Sequence, residues 1–252
     1  RRAYFDNGEP LGSSTNEECQ IDSIAQSWAV ISGAADPSRA RQGMENVNRR
    51  LVQRDDKLIR LFHPPFAKSS VDPGYIKGYP PGVRENGGQY THAAIWTAIA
   101  FAEMGETELA WEMATLLNPI RHATNPADTE LYMVEPYVVA ADIYSSEPHI
   151  GRGGWTWYTG ASGWMYRLLI ETLLGLQLEV DTLRINPRVP KVWSSFKLHY
   201  RYQETFYHIT VRRSEDSPKR PIRVVLNGQE QPEGTIKLIN DRQNHKVQVI
   251  IS

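Results

Sequence analysis

The 252-residue chain contains one cysteine, Cys19, which rules out an internal disulfide and suits a reducing compartment. No apolar run approaches the ~20 residues needed to span a bilayer, and no signal-peptide pattern is present. The net charge of −1 lacks the basic excess that nucleic-acid binding requires, so no nucleic-acid partner is expected. His63, His92, His122 and His149 lie far apart, without metal-ligand spacing or a cysteine partner, so no metal site is predicted. There is no Gly-x-Ser-x-Gly, and Cys19 has no evident base beside it. The glycine-rich stretch 151–160 lacks the Lys-Ser/Thr that would complete a P-loop.

What is present is aromatic and helical. Seven Trp and 12 Tyr fit either a sugar-binding cleft or an ordinary core. Thr15 and Glu18 read as a capping box opening a helix over about 19–33 that ends at Gly33. Asp36-Pro37 starts a second helix over 37–53, with Ala40, Met44, Val47 and Leu51 on one stripe. A long loop, rich in proline and aromatics, covers 54–87. A helix over 89–104 is apolar on nearly every side and is therefore buried; it stops at Gly105, and a half-polar helix follows to Leu117. A loop to about 132, a short apolar helix over 134–144 and a last helix over 161–175 complete the pattern.

Three pairs of buried and amphipathic helices, with long loops at one end and short ones at the other, suit half of an (α/α)6 toroid. Beyond Gly175 the period becomes two: Phe196, Leu198, Tyr200 and Tyr202, then Tyr207, Ile209 and Val211, then Val247, Val249 and Ile251. Asn227-Gly228 reads as a hairpin turn. The expected layout is a half-barrel over 1–179 and a small antiparallel β-sheet or sandwich domain over 180–252.

Three stretches hold polar groups at helix starts. In Glu85-Asn86-Gly87-Gly88-Gln89-Tyr90-Thr91-His92, His92 is either an anion donor at a helix N-terminus or a satisfied core histidine. Glu85 is either an acceptor for sugar hydroxyls or a helix-start charge. Thr159-Gly160 makes either an anion cradle or a plain N-cap. Glu135 is either a helix cap or a sugar ligand. Asp6, Asp22, Asp72, Glu85, Glu135 and Asp142 are carboxylates that glycoside chemistry could use as an acid, and none is singled out by its neighbours.

The runs YFDNGEPLGSS, IDSIAQSWAVISGAAD, PPGVRENGGQYTHAAIW, EPYVVAADIY and GRGGWTWYTGASGWMYR together resemble glycoside hydrolase family 94, the inverting glycoside phosphorylases. Within it the chain looks most like the C-terminal end of the members that make or phosphorolyse β-1,2-glucans. The resemblance implies the second half of an (α/α)6 barrel followed by a β domain. It implies that His92, Thr159 and Gly160 hold inorganic phosphate and that Glu85 faces sugar hydroxyls. Glu135 stands where cellobiose-type members tend to have Gln, which suggests a different linkage or acceptor. The implied reaction is a single displacement in which phosphate attacks the anomeric carbon and an acid protonates the leaving oxygen. α-Glucose 1-phosphate is released, or chain length is trimmed during cyclic glucan synthesis.

The family's acid is an aspartate in a D-W-N-D-G-type motif, which this sequence lacks. The chain starts at Arg1 rather than Met, and the expectation is a piece of a longer protein whose acid lies upstream. The expected partners are a β-glucan oligosaccharide, phosphate as co-substrate with no other cofactor, the upstream half of the barrel, and a second copy of the chain in a homodimer. The expected setting is the cytoplasm, or the cytoplasmic side of a larger inner-membrane protein. Two other readings remain: an inverting glucoamylase-like hydrolase on the same toroid, and a non-catalytic sugar-binding or assembly module.

Overall fold

A computed structural model describes residues 1–69, 72–214, 222–231 and 233–252. The chain divides into two units, Arg1–Leu168 and Leu169–Ser252. No helix among the described residues is long and apolar enough to cross a membrane.

The first unit is helical. Helix α1 (Ser23–Ile31) begins at Asp22, whose carboxylate accepts from the Ala25 N–H at 3.1 Å. This corrects the capping box expected at Thr15 and Glu18. Glu18 instead accepts from three consecutive backbone N–H groups, those of Ala67, Lys68 and Ser69, at 2.8–2.9 Å. Helix α2 (Pro37–Arg50) starts at Asp36 as expected and buries Met44 and Val47. It ends three residues early, because Val52–Gln53 turns into a strand paired with Leu58–Ile59.

Helix α3 (Thr91–Glu103) is the centre of this unit. Ten of its 13 residues are buried, and it packs against α1, against α4 (Thr107–Leu116) and against α6 (Thr159–Tyr166). Its run of alanines removes side-chain bulk and lets neighbours approach from several sides. The buried hydroxyls of Ser27 on α1 and Thr97 on α3 bond to each other at 3.2 Å, so neither is left unpaired in the core.

The described residues of the long loop 54–87 contribute to the core. Leu58, Ile59, Leu61, Phe62, Phe66 and Ile76 are all buried. The third helix pair departs from expectation. Residues 134–144 are not helical: Asp142–Ile143 is a strand paired with Gln89–Tyr90, and the Ala141 N–H donates to the Trp155 carbonyl. Ahead of that strand Val138 N–H closes a turn onto the Glu135 carbonyl at 3.3 Å. The helix lies earlier, as α5 (Pro126–Tyr132), with Asn125 capping Asp128 N–H at 2.9 Å and proline in its first turn. Beyond α6 the chain enters a π-helical segment, Arg167–Leu173, where one α-helix was expected to continue.

The second unit is β. Thr182–Ile185 is the middle strand of an antiparallel three-stranded sheet, between Leu176–Glu179 and Thr235–Lys237. The five-stranded sheet runs in the order Ser195–Tyr202, Thr205–Arg213, Asn244–Ile251, Arg223–Leu226, Gln229–Gln231. Thr205, Tyr207, Ile209 and Val211 face inward in strict alternation. The sheet is not wholly antiparallel, because Thr205–Arg213 and Asn244–Ile251 run parallel. Asn227-Gly228 forms the expected two-residue turn between Leu226 and Gln229, both residues at positive φ.

Candidate functional site

The loop entering α3 is held against the segment 141–155 by a dense set of bonds. Gly82 N–H donates to the Asn86 carbonyl at 2.7 Å, and its own carbonyl accepts from Ser145 N–H at 2.9 Å. The Ser145 hydroxyl donates to the Gly87 carbonyl at 2.9 Å. Gly87, at φ +84°, lies so close to Pro65 that a Cβ would stand 2.9 Å from that ring, so glycine is required there.

The polar groups of this loop divide by whether they are satisfied. Asn86 is fully buried; its side chain accepts from Phe66 N–H at 2.7 Å and donates to the Phe66 and Tyr79 carbonyls at 2.8 Å. Gln89 accepts from Ile59 N–H at 2.8 Å and donates to Thr91 Oγ1 at 3.3 Å. Both are structural staples. Glu85 and His92 differ: the Glu85 Oε2 and His92 Nε2 atoms are buried and have no hydrogen-bond partner among the described residues. Ser23 Oγ, Arg60 Nε, Arg84 Nε, Trp96 Nε1 and Asp142 Oδ2 are in the same state.

His92 is the second residue of α3. Its ring lies among Trp96 and Trp164, at centroid distances of 4.5 and 5.8 Å, and Trp96 in turn meets Trp28 at 5.2 Å. Burial among these rings lowers its pKa, so the imidazole is neutral at pH 7 and carries one N–H. The structure brings Gly160 to this histidine: a Cβ on Gly160 would sit 3.6 Å from His92 Nδ1. Thr159 and Gly160 are exposed and open helix α6, whose N-cap is Tyr158 rather than Thr159. The Thr159 hydroxyl is therefore not used as a cap. Neither α3 nor α6 has a side-chain cap at its start. Two uncapped helix N-termini thus meet at His92 and Gly160, with partial positive charge from both and an imidazole between them. Chemically, the arrangement suits an anion.

Glu85 precedes α3 by six residues and is no helix-start charge. Its Oε2 lies 3.8 Å from Arg84 Nε. The Arg84 guanidinium carbon lies 3.7 Å from the centre of Trp155 and 5.6 Å from that of Tyr79. Glu135 stands in different surroundings and caps no helix; it accepts from the Trp157 indole at 3.1 Å. Its own backbone N–H, then Trp157 and Thr156, hold its pKa below the usual carboxylate value. Around it Tyr137 and Trp157 are exposed aromatic faces, 6.5 Å apart. The structure therefore joins His92 with Gly160, and the bonds of Glu85 and Glu135 place those two carboxylates in separate clusters.

The other carboxylates sort readily. Asp22 is consumed by the α1 cap and by Arg2 at 2.7 Å. Asp72 accepts from Gly74 N–H at 2.9 Å in an exposed turn, and Asp6 is exposed. Burial and the nearby Asp22 push the Cys19 thiol up to about 12, so it is inert as a nucleophile. Arg84 and Asp142 are members of the Glu85 cluster that sequence reasoning left out or left unassigned. The signal for Arg84 was its place beside Glu85 in a glycine-rich loop; nothing local marks Asp142.

Residues 1–175 match the family described as glycosyl hydrolase 94 superfamily, catalytic domain, and the chain belongs to that family. Among curated proteins it is 50% identical over 217 residues to cyclic beta-(1,2)-glucan synthase NdvB of Rhizobium meliloti (strain 1021), covering 86% of this chain and 8% of that protein. It is 29% identical to the solabiose phosphorylase of Paenibacillus borealis, covering 98% of this chain and 32% of that one. A 1,2-beta-oligoglucan phosphorylase of Listeria innocua is 25% identical, with 88% and 21% covered. The chain thus spans a third or less of the length of these relatives.

Proposed function

We propose that this chain supplies the phosphate-holding and sugar-facing wall of an inverting glycoside phosphorylase that acts on a β-linked glucan of the β-1,2 type. The observation that carries the reading is the meeting of two helix N-termini without side-chain caps at His92 and Gly160, where a Cβ on Gly160 would lie 3.6 Å from His92 Nδ1. His92 N–H, the Thr159 hydroxyl and the Gly160 backbone N–H hold phosphate and aim one of its oxygens at the anomeric carbon. Phosphate is itself the nucleophile, so no carboxylate base is needed. Glu85 and Glu135 accept from sugar hydroxyls at two different places along the oligosaccharide. The general acid comes from residues outside these 252, within the other half of an (α/α)6 toroid, and the free, buried Cys19 suits a cytoplasmic setting.

The relatives named as phosphorylases support this reading, as does the 50% identity to a beta-(1,2)-glucan synthase. A glucoamylase-like hydrolase would need a carboxylate base where His92 meets Gly160, and the rings packed against His92 among the described residues are the indoles of Trp96 and Trp164. The test is to incubate the full-length protein with β-1,2-glucan and inorganic phosphate and to assay α-glucose 1-phosphate. Release of glucose alone, unaffected by phosphate, refutes the proposal.

A further inference from the structure

Asp142 is 1% exposed, yet among the described residues it caps no helix and forms no ion pair. It lies on the strand Asp142–Ile143, opposite Tyr90 in register. Its main-chain carbonyl accepts from Gly154 N–H at 2.8 Å, and its Oδ1 accepts from Trp155 N–H at 3.1 Å. Its Oδ2 is buried without a partner among the described residues. The fit around this carboxylate is close. A Cβ on Gly154 would stand 2.3 Å from Oδ2 and 2.4 Å from Oδ1, so only glycine lets the backbone pass.

What the carboxylate fixes is the residue after that glycine. Trp155 is 55% exposed. The Arg84 guanidinium lies 3.7 Å from its centre, close enough for a cation–π contact. Arg84 holds a left-handed backbone, φ +49°, and its Nε stands 3.8 Å from Glu85 Oε2, with both atoms buried and unpartnered. That separation is too long for a direct hydrogen bond. Oε2 is nonetheless turned to Arg84, and the part of the Glu85 side chain that stays exposed, 21%, is what a sugar hydroxyl can reach.

We propose that Asp142 is a positioning residue for sugar binding: by clamping the Trp155 backbone it fixes the ring on which Arg84 lies, and so holds Arg84 and Glu85 where the exposed part of the Glu85 side chain meets a sugar hydroxyl. The inference rests on the reading of Glu85 as a sugar ligand. Asp142 does not touch the sugar, because its free oxygen is sealed under Gly154. Its charge is not what acts. Burial pushes the Asp142 carboxyl above its usual value; Trp155 N–H and the Arg84 charge counteract this, and Glu85 adds to the rise. What acts is the acceptor Oδ1, which an amide also supplies.

The test uses the full-length protein, with calorimetric affinities for a β-1,2-glucan oligosaccharide and, separately, for sulfate as a phosphate stand-in. Asp142→Ala is expected to weaken the sugar by roughly tenfold, the coupling typical of one connected network, and to leave sulfate unchanged. Asp142→Asn, which keeps the acceptor, is expected to recover most of that loss. Gly154→Ala displaces the carboxylate and is expected to mimic Asp142→Ala, with the double variant no worse than either single one. If Asp142→Ala fails to fold, Trp155→Ala carries the test: it removes the exposed ring, leaves the clamp intact, and is expected to cost the sugar as much. Full sugar affinity in the alanine variants, an Asn variant as poor as Ala, or a parallel loss of sulfate overturns the inference. Glu85→Ala separates the two levels. If it leaves sugar affinity intact, the sugar reading of Glu85 fails; if it weakens the sugar while Asp142→Ala and Trp155→Ala do not, only the positioning role fails.

Discussion

Replacing His92 with alanine tests the anion site most directly. A hydrogen bond from the imidazole to a charged oxygen has a net value of about 1.5–3 kcal/mol, which corresponds to an affinity loss of about 10- to 150-fold. The pH dependence adds a second, independent signature. Burial lowers the His92 pKa, so the free site holds a neutral ring at pH 7. A dianion in contact with that ring favours its protonated form. Two unit charges 4 Å apart at an effective dielectric constant of 20 interact by about 4 kcal/mol. Even cut severalfold by solvent, this raises the bound-state pKa above that of the free site. Anion binding therefore takes up a proton, and affinity rises as pH falls from 8 toward 6. Sulfate is the right probe, since its own charge is constant over that range. Calorimetry in two buffers of different ionisation enthalpy reads the proton uptake directly. The reasoning is refuted if the wild-type protein binds sulfate with no proton uptake and no pH dependence, or if His92→Ala binds it equally well.

Three further outcomes follow from the same geometry. Gly160→Ala places its Cβ at ordinary contact distance from His92; the helix gains about 0.5–1 kcal/mol from the lost glycine entropy, so the melting temperature rises while sulfate affinity falls. Asn86→Ala strands three buried backbone groups and is expected to cost about 3 kcal/mol or more, lowering the melting temperature by roughly 10 °C; a shift under two degrees argues against the staple. Burial alone would raise the Glu18 pKa, but backbone N–H bonds from Lys68, Ala67 and Ser69 and the charge of Lys77 bring it below its ordinary 4.5. Its contribution to stability is therefore full above about pH 4.5 and is lost as pH falls through the lower folded-state value; Glu18→Gln is expected to flatten that part of the urea-stability profile relative to wild type.

Much of the helical unit was legible because its signals are local. Asp36-Pro37 starts α2, Gly33 and Gly105 follow the ends of α1 and α3 at positive φ, and the all-apolar α3 announced its burial. The failures arise where the chain's partners are distant. Residues 134–144 carry helical apolar spacing, but Gln89–Tyr90 and Trp155 supply bonds that hold the backbone extended, and tertiary pairing overrides periodicity. Helix α5 was missed although Asn125, Pro126 and Asp128 mark a helix start. Glu18 looked like half of a capping box because Thr15 stands three residues before it, and its true donors lie about fifty residues away. Period two gave the strands, but pairing direction is not encoded locally, and the parallel neighbours Thr205–Arg213 and Asn244–Ile251 show it.

The site was legible as residue types and illegible as roles. Glu85, Asn86, Gln89 and His92 occupy eight positions of one loop and helix start, and spacing treats them alike. Satisfaction of their polar atoms separates them: Asn86 and Gln89 spend their bonds on buried backbone, whereas Glu85 Oε2 and His92 Nε2 are buried and unspent. The glycines sort by an independent criterion to the same effect. At Gly82, Gly87, Gly88, Gly153 and Gly154 an added Cβ would meet an atom at 2.3–2.9 Å, so those five serve the packing of the loops. At Gly160 a Cβ would meet only the ring of His92, at ordinary distance. Packing therefore does not demand glycine there, nor does helix propensity, which favours alanine. Gly160 thus faces the Nδ1 edge of His92 without a packing or conformational need for glycine, and the proposed phosphate site is a reading that would give that glycine a purpose.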